Sequence, residues 1–572
     1  MATEDPIHSK GTPAAITGAR ALVRTLTAHG IDTIFGIPGT HNLAIYQELS
    51  RAGVRCVTPR HEQGAGYAAD GYARVTGRPG VVVTTTGPGV VNAATAIGQA
   101  YSDSSPILLV SPGVPTGHPR DGRGYLHESR DQSRAIGALC DWSHRVTSVR
   151  EIPAAVARAF GHFAEGRPRP VHVEIPADLL DLEGQVKIVP PYRVMPREPD
   201  PPALDEAAGL LRSARRPGFV LGGGAQRPGA AEPPVGRLAM RLAERFGARV
   251  VTTVNGKGAV PESHPLALGA TLHLAAVRRW LAGCDVVLAV GTELGPADLW
   301  EDPFALTGRL VRIDIDPGQM HGDHVADVAI VADAERAMRG LAERLDVRLD
   351  GRLDGQADVR AGVRADGRGD GRAGGRGDAP GPEREPGVGH ETELQDLVRR
   401  WSGQLAALRR AMPPETVVVG DNSMFVYHGA LVGMPMDPPG RFLFPTGFGT
   451  LGFALPAAIG AKLGRPDLPV VALAGDGAFQ FTLQELATAV ELRLSLPIVV
   501  SLNGGFGEIR EEMLARGMTP VAVDLHAPDF PALAAAFGAR GLAVKTPGEL
   551  EEAVTEALRA PVPTVIAVPE GD

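Results

Sequence analysis

Two short apolar strands, each breaking into a turn loaded with oxygen donors, constrain this chain more than any other feature. The run Val470–Ala474 is apolar and β-branched and ends in Gly475-Asp476-Gly477. The run Leu496–Leu502, about one strand–helix–strand unit later, ends in Asn503-Gly504-Gly505-Phe506. A run like the first is a buried strand of a parallel sheet. Glycines at its end let backbone N–H groups close on a phosphate where a helix begins. Asp476 offers one hard oxygen, the Asn503 amide a second and the Gly505 carbonyl a third. With two diphosphate oxygens and a water they make the six-oxygen set that Mg²⁺ requires. A lone Gly-Asp-Gly is a surface turn; the asparagine ending the next strand is what favours a metal–diphosphate site.

At 572 residues the chain exceeds one core, and ~100–200 residues per domain gives three or four units. A net charge of −9 spread along the chain argues against nucleic-acid or membrane partners. Three cysteines, Cys56, Cys140 and Cys284, are too dispersed for a disulfide framework or a metal cluster. Neither a basic–apolar leader nor a long apolar run is present, so a cytoplasmic enzyme is expected.

From 12 to 185 strands and helices alternate: strands Thr33–Gly36, Val54–Thr58, Val81–Thr85 and Ile107–Val110, helices Gly18–His29, Leu43–Arg51, Glu62–Val75 and Val90–Tyr101. That spacing predicts a parallel sheet covered on both faces, with ligands at the carboxyl ends of the strands. A second α/β unit runs from 186 to 345, with strands at Gly218–Gly224, Arg249–Thr253, Asp285–Val290 and Leu310–Asp316. Gly222–Gly224 reads as a turn that binds nothing or as part of a dinucleotide loop; the full fingerprint spacing is missing. From 346 to 390 glycine and mixed charge leave little to bury, which predicts a mobile linker. Its two Arg-Gly-Asp triplets follow from that bias. The third α/β unit, 391 to 572, opens with a helix over Glu393–Ala411 and closes with a helix–strand pair over Glu549–Val568. The first and third units are alike in size and order, as an ancient duplication would leave them.

Five motifs, in order, resemble the thiamin-diphosphate-dependent 2-oxo-acid enzymes: acetolactate synthase, pyruvate oxidase, benzoylformate decarboxylase and relatives. They are Gly36-Ile-Pro-Gly39, Arg60-His-Glu-Gln-Gly64 with its helix, Thr84-Thr-Thr-Gly-Pro-Gly89, Gly449-Thr-Leu-Gly452 with the following helix, and the Gly475…Asn503 block. The resemblance covers nearly everything but the linker and implies three doubly wound α/β domains: pyrimidine-binding, Rossmann-like and diphosphate-binding. It implies that Glu62 hydrogen-bonds the cofactor's aminopyrimidine and starts an acid–base relay, with Gln63 beside it. It implies cofactor contacts from Pro38, Thr85, Ser423, Thr446, Gly449, Gly475, Gly477, Ala478 and Phe506, and Mg²⁺ on Asp476, Asn503 and Gly505. Leu451 matches the apolar wedge that keeps the cofactor bent. As bare sequence, Glu62 is equally a helix-capping acid and Leu451 a core leucine. The resemblance further implies a homodimer or homotetramer whose active site is shared between subunits.

Departures from the synthase pattern bear on the reaction. Leu126-His127-Glu128 stands where synthases carry Phe-Gln-Glu, and Gly291-Thr-Glu-Leu294 where they carry a basic segment beside FAD. After Asn503 comes Phe506-Gly-Glu-Ile-Arg510, without the tryptophan that favours a larger acceptor. These favour a decarboxylase releasing CO₂ from a small 2-oxo acid and leaving an enamine, a branch that includes enzymes of 5-guanidino-2-oxopentanoate. The alternative is an acetolactate synthase joining two 2-oxo acids, with FAD as a further but disfavoured cofactor. A non-catalytic relative is disfavoured by an intact Glu62, Asp476 and Asn503. His41, His127 and Glu128 are the candidate proton-handling groups; each histidine otherwise makes a loop hydrogen bond. Glu508, Glu511 and Glu512 either meet a cationic substrate tail or form a solvated helix face.

Overall fold

In a computed structural model of the chain, residues 14–226, 234–300, 304–347 and 388–570 are described. Most of the expected linker, 348–387 with both Arg-Gly-Asp triplets, lies outside them.

Among the described residues, three parallel sheets of six strands form the framework. In the first the spatial order is Arg55–Val57, Thr33–Gly36, Gly80–Val83, Ile107–Gly113, Val171–Pro176, Trp142–Arg145. In the third it is Arg441–Leu443, Val417–Gly420, Val470–Gly475, Pro497–Leu502, Thr564–Pro569, Arg540–Ala543. Numbered within each unit, both run 2-1-3-4-6-5, so the expected likeness of the two units holds at the level of topology. The middle sheet runs Ala267–Gly269, Arg249–Thr252, Pro217–Leu221, Val286–Val290, Arg309–Asp314, Val328–Val331. That is 3-2-1-4-5-6, the doubly wound order of dinucleotide-binding folds. A two-stranded antiparallel ribbon, Ala14–Thr17 with Glu183–Val186, closes the first unit.

Two differences from the sequence reading have local causes. Val171–Pro176 was not expected as a strand because His172 and Glu174 interrupt its apolar pattern. Both are buried and satisfied: Ser111 and Ser143 hydroxyls meet the two His172 ring nitrogens at 2.8 and 2.7 Å, and Glu174 pairs with Arg145 and Ser133. The expected helix Glu393–Ala411 is two helices, His390–Val398 and Ser402–Ala411, separated by a tighter turn at Arg399–Trp401. Trp401 points into the core there, donating its indole N–H to Glu570 at 3.0 Å.

The first and third units meet through helices Glu62–Thr76 and Ala454–Gly464. The approach is close enough that a Cβ on Gly71 would strike the Ala457 carbonyl, and one on Gly460 the Ala68 carbonyl. Tyr67 and Val75 of the first helix belong to the apolar core of the third unit. Among the described residues no helix is long and apolar enough to cross a membrane.

Candidate active site

A cavity of about 1140 Å³ opens at the carboxyl ends of the third sheet's strands. It lies over Val417–Gly420 and Val470–Gly475, where the strand order reverses and open α/β sheets bind ligands. The structure brings together here Ser423, Thr446, Gly449, Leu451, Gly475, Gly477, Ala478, Asn503, Gly505 and Phe506. Leu451 is half-buried and faces the cavity, so it is not a core leucine. The glycines are there for room: a Cβ on Gly475 would lie 2.9 Å from Ser423 Cβ, and one on Gly477 3.1 Å from the Gly505 carbonyl oxygen. Ser423 Oγ is buried with no protein partner.

Asp476 sits beneath this cradle, 1% exposed. Its Oδ1 accepts the Gly477 N–H at 2.8 Å; its Oδ2 accepts the N–H groups of Asn503 at 3.2 Å and Gly504 at 2.8 Å. In one orientation of its amide, Asn503 turns its oxygen toward Asp476 Oδ1 at 3.1 Å and the Gly505 carbonyl oxygen at 3.0 Å. Three oxygens this close repel unless a proton or a cation lies among them. Turning the amide over would supply protons, since its NH₂ would then donate to both neighbours. It would also aim the amide oxygen at Glu570, whose carboxyl is pushed up by burial and pulled down by the Trp401 indole and the Asn503 amide. The separations match the edge of an octahedron with metal–oxygen distances of ~2.1 Å, an edge of about 3.0 Å. A carboxylate, an amide oxygen and a backbone carbonyl therefore fit Mg²⁺, and the orphan Ser423 hydroxyl above them fits a diphosphate oxygen.

The remaining candidates cluster on the first unit. Glu62 is buried at the start of its helix and accepts Asn92 Nδ2–H at 2.9 Å. Helix capping is done by its neighbour, since His61 Nδ1 accepts the Gln63 N–H at 3.1 Å. Glu62 is thus free to face the loop Thr84–Gly89, where a Cβ on Gly89 would lie 3.2 Å from its Oε1. A Cβ on Gly39 would lie 2.9 Å from Thr85 Oγ1, so the loops carrying Pro38 and Thr85 touch. The hydroxyls of Thr84, Thr85 and Thr86 are buried without a protein partner.

His41 and His127 stand edge to face, ring centres 5.2 Å apart, and His41 stacks on Tyr125 at 5.8 Å. Neither Nδ1 finds a protein partner, so the loop-hydrogen-bond alternative lacks support at that atom. Burial and the neighbouring His127 hold the His41 pKa below its ordinary value. Glu128 is spent on its own loop, accepting the N–H groups of Gly122, Gly124 and Tyr125 at 3.1, 3.2 and 3.2 Å. Gln63 donates to the Tyr67 hydroxyl at 3.0 Å. None of these first-unit residues lines the third-unit cavity.

The three acids after Asn503 do not converge. Glu511 pairs with Arg400 at 3.1 Å and Glu512 with Arg516, while Glu508 alone lines the cavity. Sequence reasoning missed Trp300, Tyr427 and His428, which also line it. Tyr427 and His428 lie on a π-helical turn, Phe425–Ala430, a local geometry frequent at functional sites that leaves no periodic signal. A second cavity, about 780 Å³, opens over the middle sheet beside Gly223, Gly224, Gly291 and Asp314, where the sequence left a choice between an empty turn and a dinucleotide loop.

The comparisons with known proteins follow the same division. Sequence-family models described as thiamine pyrophosphate enzyme N-terminal TPP binding domain, central domain and C-terminal TPP binding domain match residues 16–135, 204–341 and 407–568. The chain is 41% identical over 553 residues to a "Probable 2-ketoarginine decarboxylase" of Pseudomonas aeruginosa, covering 94% of this chain and 90% of that protein. It is 32% identical over 566 residues to a "Probable acetolactate synthase large subunit" of Methanocaldococcus jannaschii, covering 96% and 91%. An acetolactate synthase of Mycobacterium bovis is 34% identical over 569 residues, covering 95% and 86%. With three consecutive family models matched and relatives aligned along almost its whole length, the chain belongs to the thiamine pyrophosphate enzyme family.

Proposed function

We propose that the protein is a Mg²⁺- and thiamin-diphosphate-dependent decarboxylase of 2-oxo acids. The observation that carries this is the meeting of the Asp476 carboxylate, the Asn503 amide and the Gly505 carbonyl at the floor of a glycine-walled cavity. When bound, the cofactor supplies a nucleophilic carbon for the 2-oxo carbonyl and an electron sink for the pair that CO₂ leaves behind. The chain supplies the rest. The triad would hold the metal, and Ser423 with the cradle at Gly475–Ala478 would hold the diphosphate. Leu451, Thr446, Gly449 and Phe506 would line the place of the cofactor's rings. Glu62, kept dry and oriented by Asn92, holds a proton against a ring nitrogen. His41 and His127 are placed to move a proton at the product-forming carbon, with Glu128 positioning their loop.

The Glu62 cluster does not line the cavity of the triad, which supports a site completed by a second copy. Leu43, Val91 and Leu126 are exposed beside the first, and Phe481 and Ile509 beside the second. A homodimer or larger homo-oligomer pairs the two. We assign the pyrimidine-binding, Rossmann-like and diphosphate-binding domains to 12–185, 186–345 and 391–572. The expected setting is the cytoplasm, where cysteine thiols stay reduced.

A second reading, carboligation by an acetolactate synthase, is favoured by the synthase relatives and by the cavity over the middle sheet, which leaves a place for FAD. One experiment separates the two. Protein freed of cofactor and resupplied with thiamin diphosphate and Mg²⁺ is given a panel of 2-oxo acids, with CO₂ and products measured. An aldehyde as sole organic product supports the decarboxylase; a 2-hydroxy-3-oxo acid establishes the synthase; no CO₂ from any acid overturns both.

A further inference from the structure

The cavity over the third sheet has two kinds of wall. One is the glycine cradle with its oxygen triad. The other is aromatic and acidic, formed by Trp300, Tyr427, His428 and Glu508. Trp300 stacks one face on His273, ring centres 3.9 Å apart and planes 18° from parallel. Its edge-to-face contacts with Tyr427 and His428, at 5.8 and 5.9 Å, lock the ring. It keeps 36% exposure toward the cavity.

Glu508 opens the helix Gly507–Ala515, one turn beyond the metal ligand Asn503. Its Oε2 lies 3.3 Å from His428 Nε2, and its carboxylate takes a hydrogen bond from the Tyr427 hydroxyl. The hydrogen bond from His428 and that from Tyr427 hold its pKa below the usual range, so it is charged at neutral pH. No arginine or lysine lines the cavity among the described residues, and Glu508 is the only carboxylate that does. Its helix neighbours are already neutralised: Glu511 by Arg400, Glu512 by Arg516. One acid therefore remains in a wall of aromatic rings, with the His428 imidazole rather than an arginine or lysine beside it.

Building on the decarboxylase reading, we infer that this wall receives the side chain of the substrate and selects 2-oxo acids that end in a planar cation, with Glu508 as counter-ion and Trp300 and Tyr427 as stacking surfaces. An uncharged aliphatic tail would leave Glu508 facing apolar atoms, and an anionic tail would be repelled. A guanidinium suits the wall better than an ammonium, because it is weakly hydrated, stacks on aromatic rings and pairs with a carboxylate through a flat fork of N–H groups. Charge-assisted hydrogen bonds in such a site exceed neutral ones about twofold in strength. Glu508 and Trp300 would thus determine which acid is used while Glu62 and the triad determine what happens to it.

The test uses full-length holoenzyme loaded with thiamin diphosphate and Mg²⁺. CO₂ release is compared for 5-guanidino-2-oxopentanoate, 6-amino-2-oxohexanoate and uncharged 2-oxohexanoate, in the wild type, Glu508→Gln and Trp300→Leu. The wild type is expected to prefer the guanidino acid over the uncharged one by about 100-fold in kcat/KM, the size of one charge-assisted contact. Glu508→Gln, nearly isosteric, is expected to collapse that ratio to within a few-fold, mainly through KM for the guanidino acid. Trp300→Leu is expected to narrow the guanidino-over-amino preference. Unreactive 5-guanidinopentanoate should quench tryptophan fluorescence in the wild type and bind at least tenfold more weakly in Glu508→Gln. A wild type that favours the uncharged acid, or a ratio that survives in Glu508→Gln because all substrates slow alike, overturns the assignment but leaves the decarboxylase standing. CO₂ from none of the acids removes both.

Discussion

Glu485, carried by the third unit, accepts the backbone N–H of His61 at 3.0 Å, one residue before Glu62. The same carboxylate accepts the Arg60 N–H at 3.0 Å through each oxygen and the Thr488 hydroxyl at 2.8 Å. The entry to the Glu62 helix is thus held by a domain other than its own. Glu485→Gln would turn an NH₂ toward backbone donors, costing about 1–3 kcal/mol. Chemical denaturation should show that loss and kcat should fall with it, since the direction of Glu62 depends on this anchor. Wild-type stability and turnover in the variant would remove Glu485 from this role.

Glu62→Gln removes the carboxylate but keeps its shape and its Asn92 contact. Turnover should drop by about 10²–10⁴, the range of a lost general acid–base group, while calorimetric affinity for thiamin diphosphate changes only a few-fold. Near-normal turnover would rule out a proton relay through this residue.

Because Glu62 does not line the cavity above Asp476, a mixing experiment is decisive. Glu62→Gln and Asp476→Asn should each be inactive alone. If one site draws on two subunits, hybrids of the variants contain one site free of both changes, and activity returns on mixing after dissociation. Mixtures that stay dead would place each site within one chain.

Gly460→Ala inverts an ordinary rule. Alanine in a helix interior is normally worth ~0.5–1 kcal/mol over glycine. Here the added Cβ meets the Ala68 carbonyl of the helix that starts at Glu62. The substitution should destabilise by about 1–3 kcal/mol, as overpacking does. A rise in Tm would show that the two helices do not touch as described.

His172 gives a pH signature. Burial pushes its pKa down to about 3, against 6.5 for the free side chain. Between those values the unfolded chain takes up a proton that the folded chain refuses. Stability is therefore full above pH ~6.5 and falls by up to ~1.4 kcal/mol per pH unit as the pH drops. His172→Asn, whatever its effect at pH 7, should reduce the acid slope of unfolding free energy between pH 6 and 4 by about one proton. An unchanged slope would mean that the ring is protonated in the folded protein.

Motifs read well where chemistry required a fixed backbone. Gly475–Gly477, Asn503 and Gly505 read out because glycines and oxygen donors at neighbouring strand ends form a local pattern, and these residues do converge. Strands read poorly where burial was reconciled with polarity by distant partners, as at His172 and Glu174, or where they were very short, as at Ala267–Gly269 and Arg441–Leu443. Glu508 shows the intermediate case. Its acid was visible in a run of three, but nothing in the run says that Arg400 and Arg516 take the other two.

The sequence by itself determined three α/β units, the grouping of Asp476, Asn503 and Gly505 at neighbouring strand ends, and an acid, Glu62, at a helix start, because each is written in residues near one another along the chain. The tertiary structure decided the rest: the identical strand order of the outer units, the glycine-mediated seat of Glu62's helix, and the ring of Trp300, Tyr427 and His428 around Glu508. The physical reason is that these depend on contacts between segments distant in sequence, where packing and charge pairing leave no period for a linear pattern to carry.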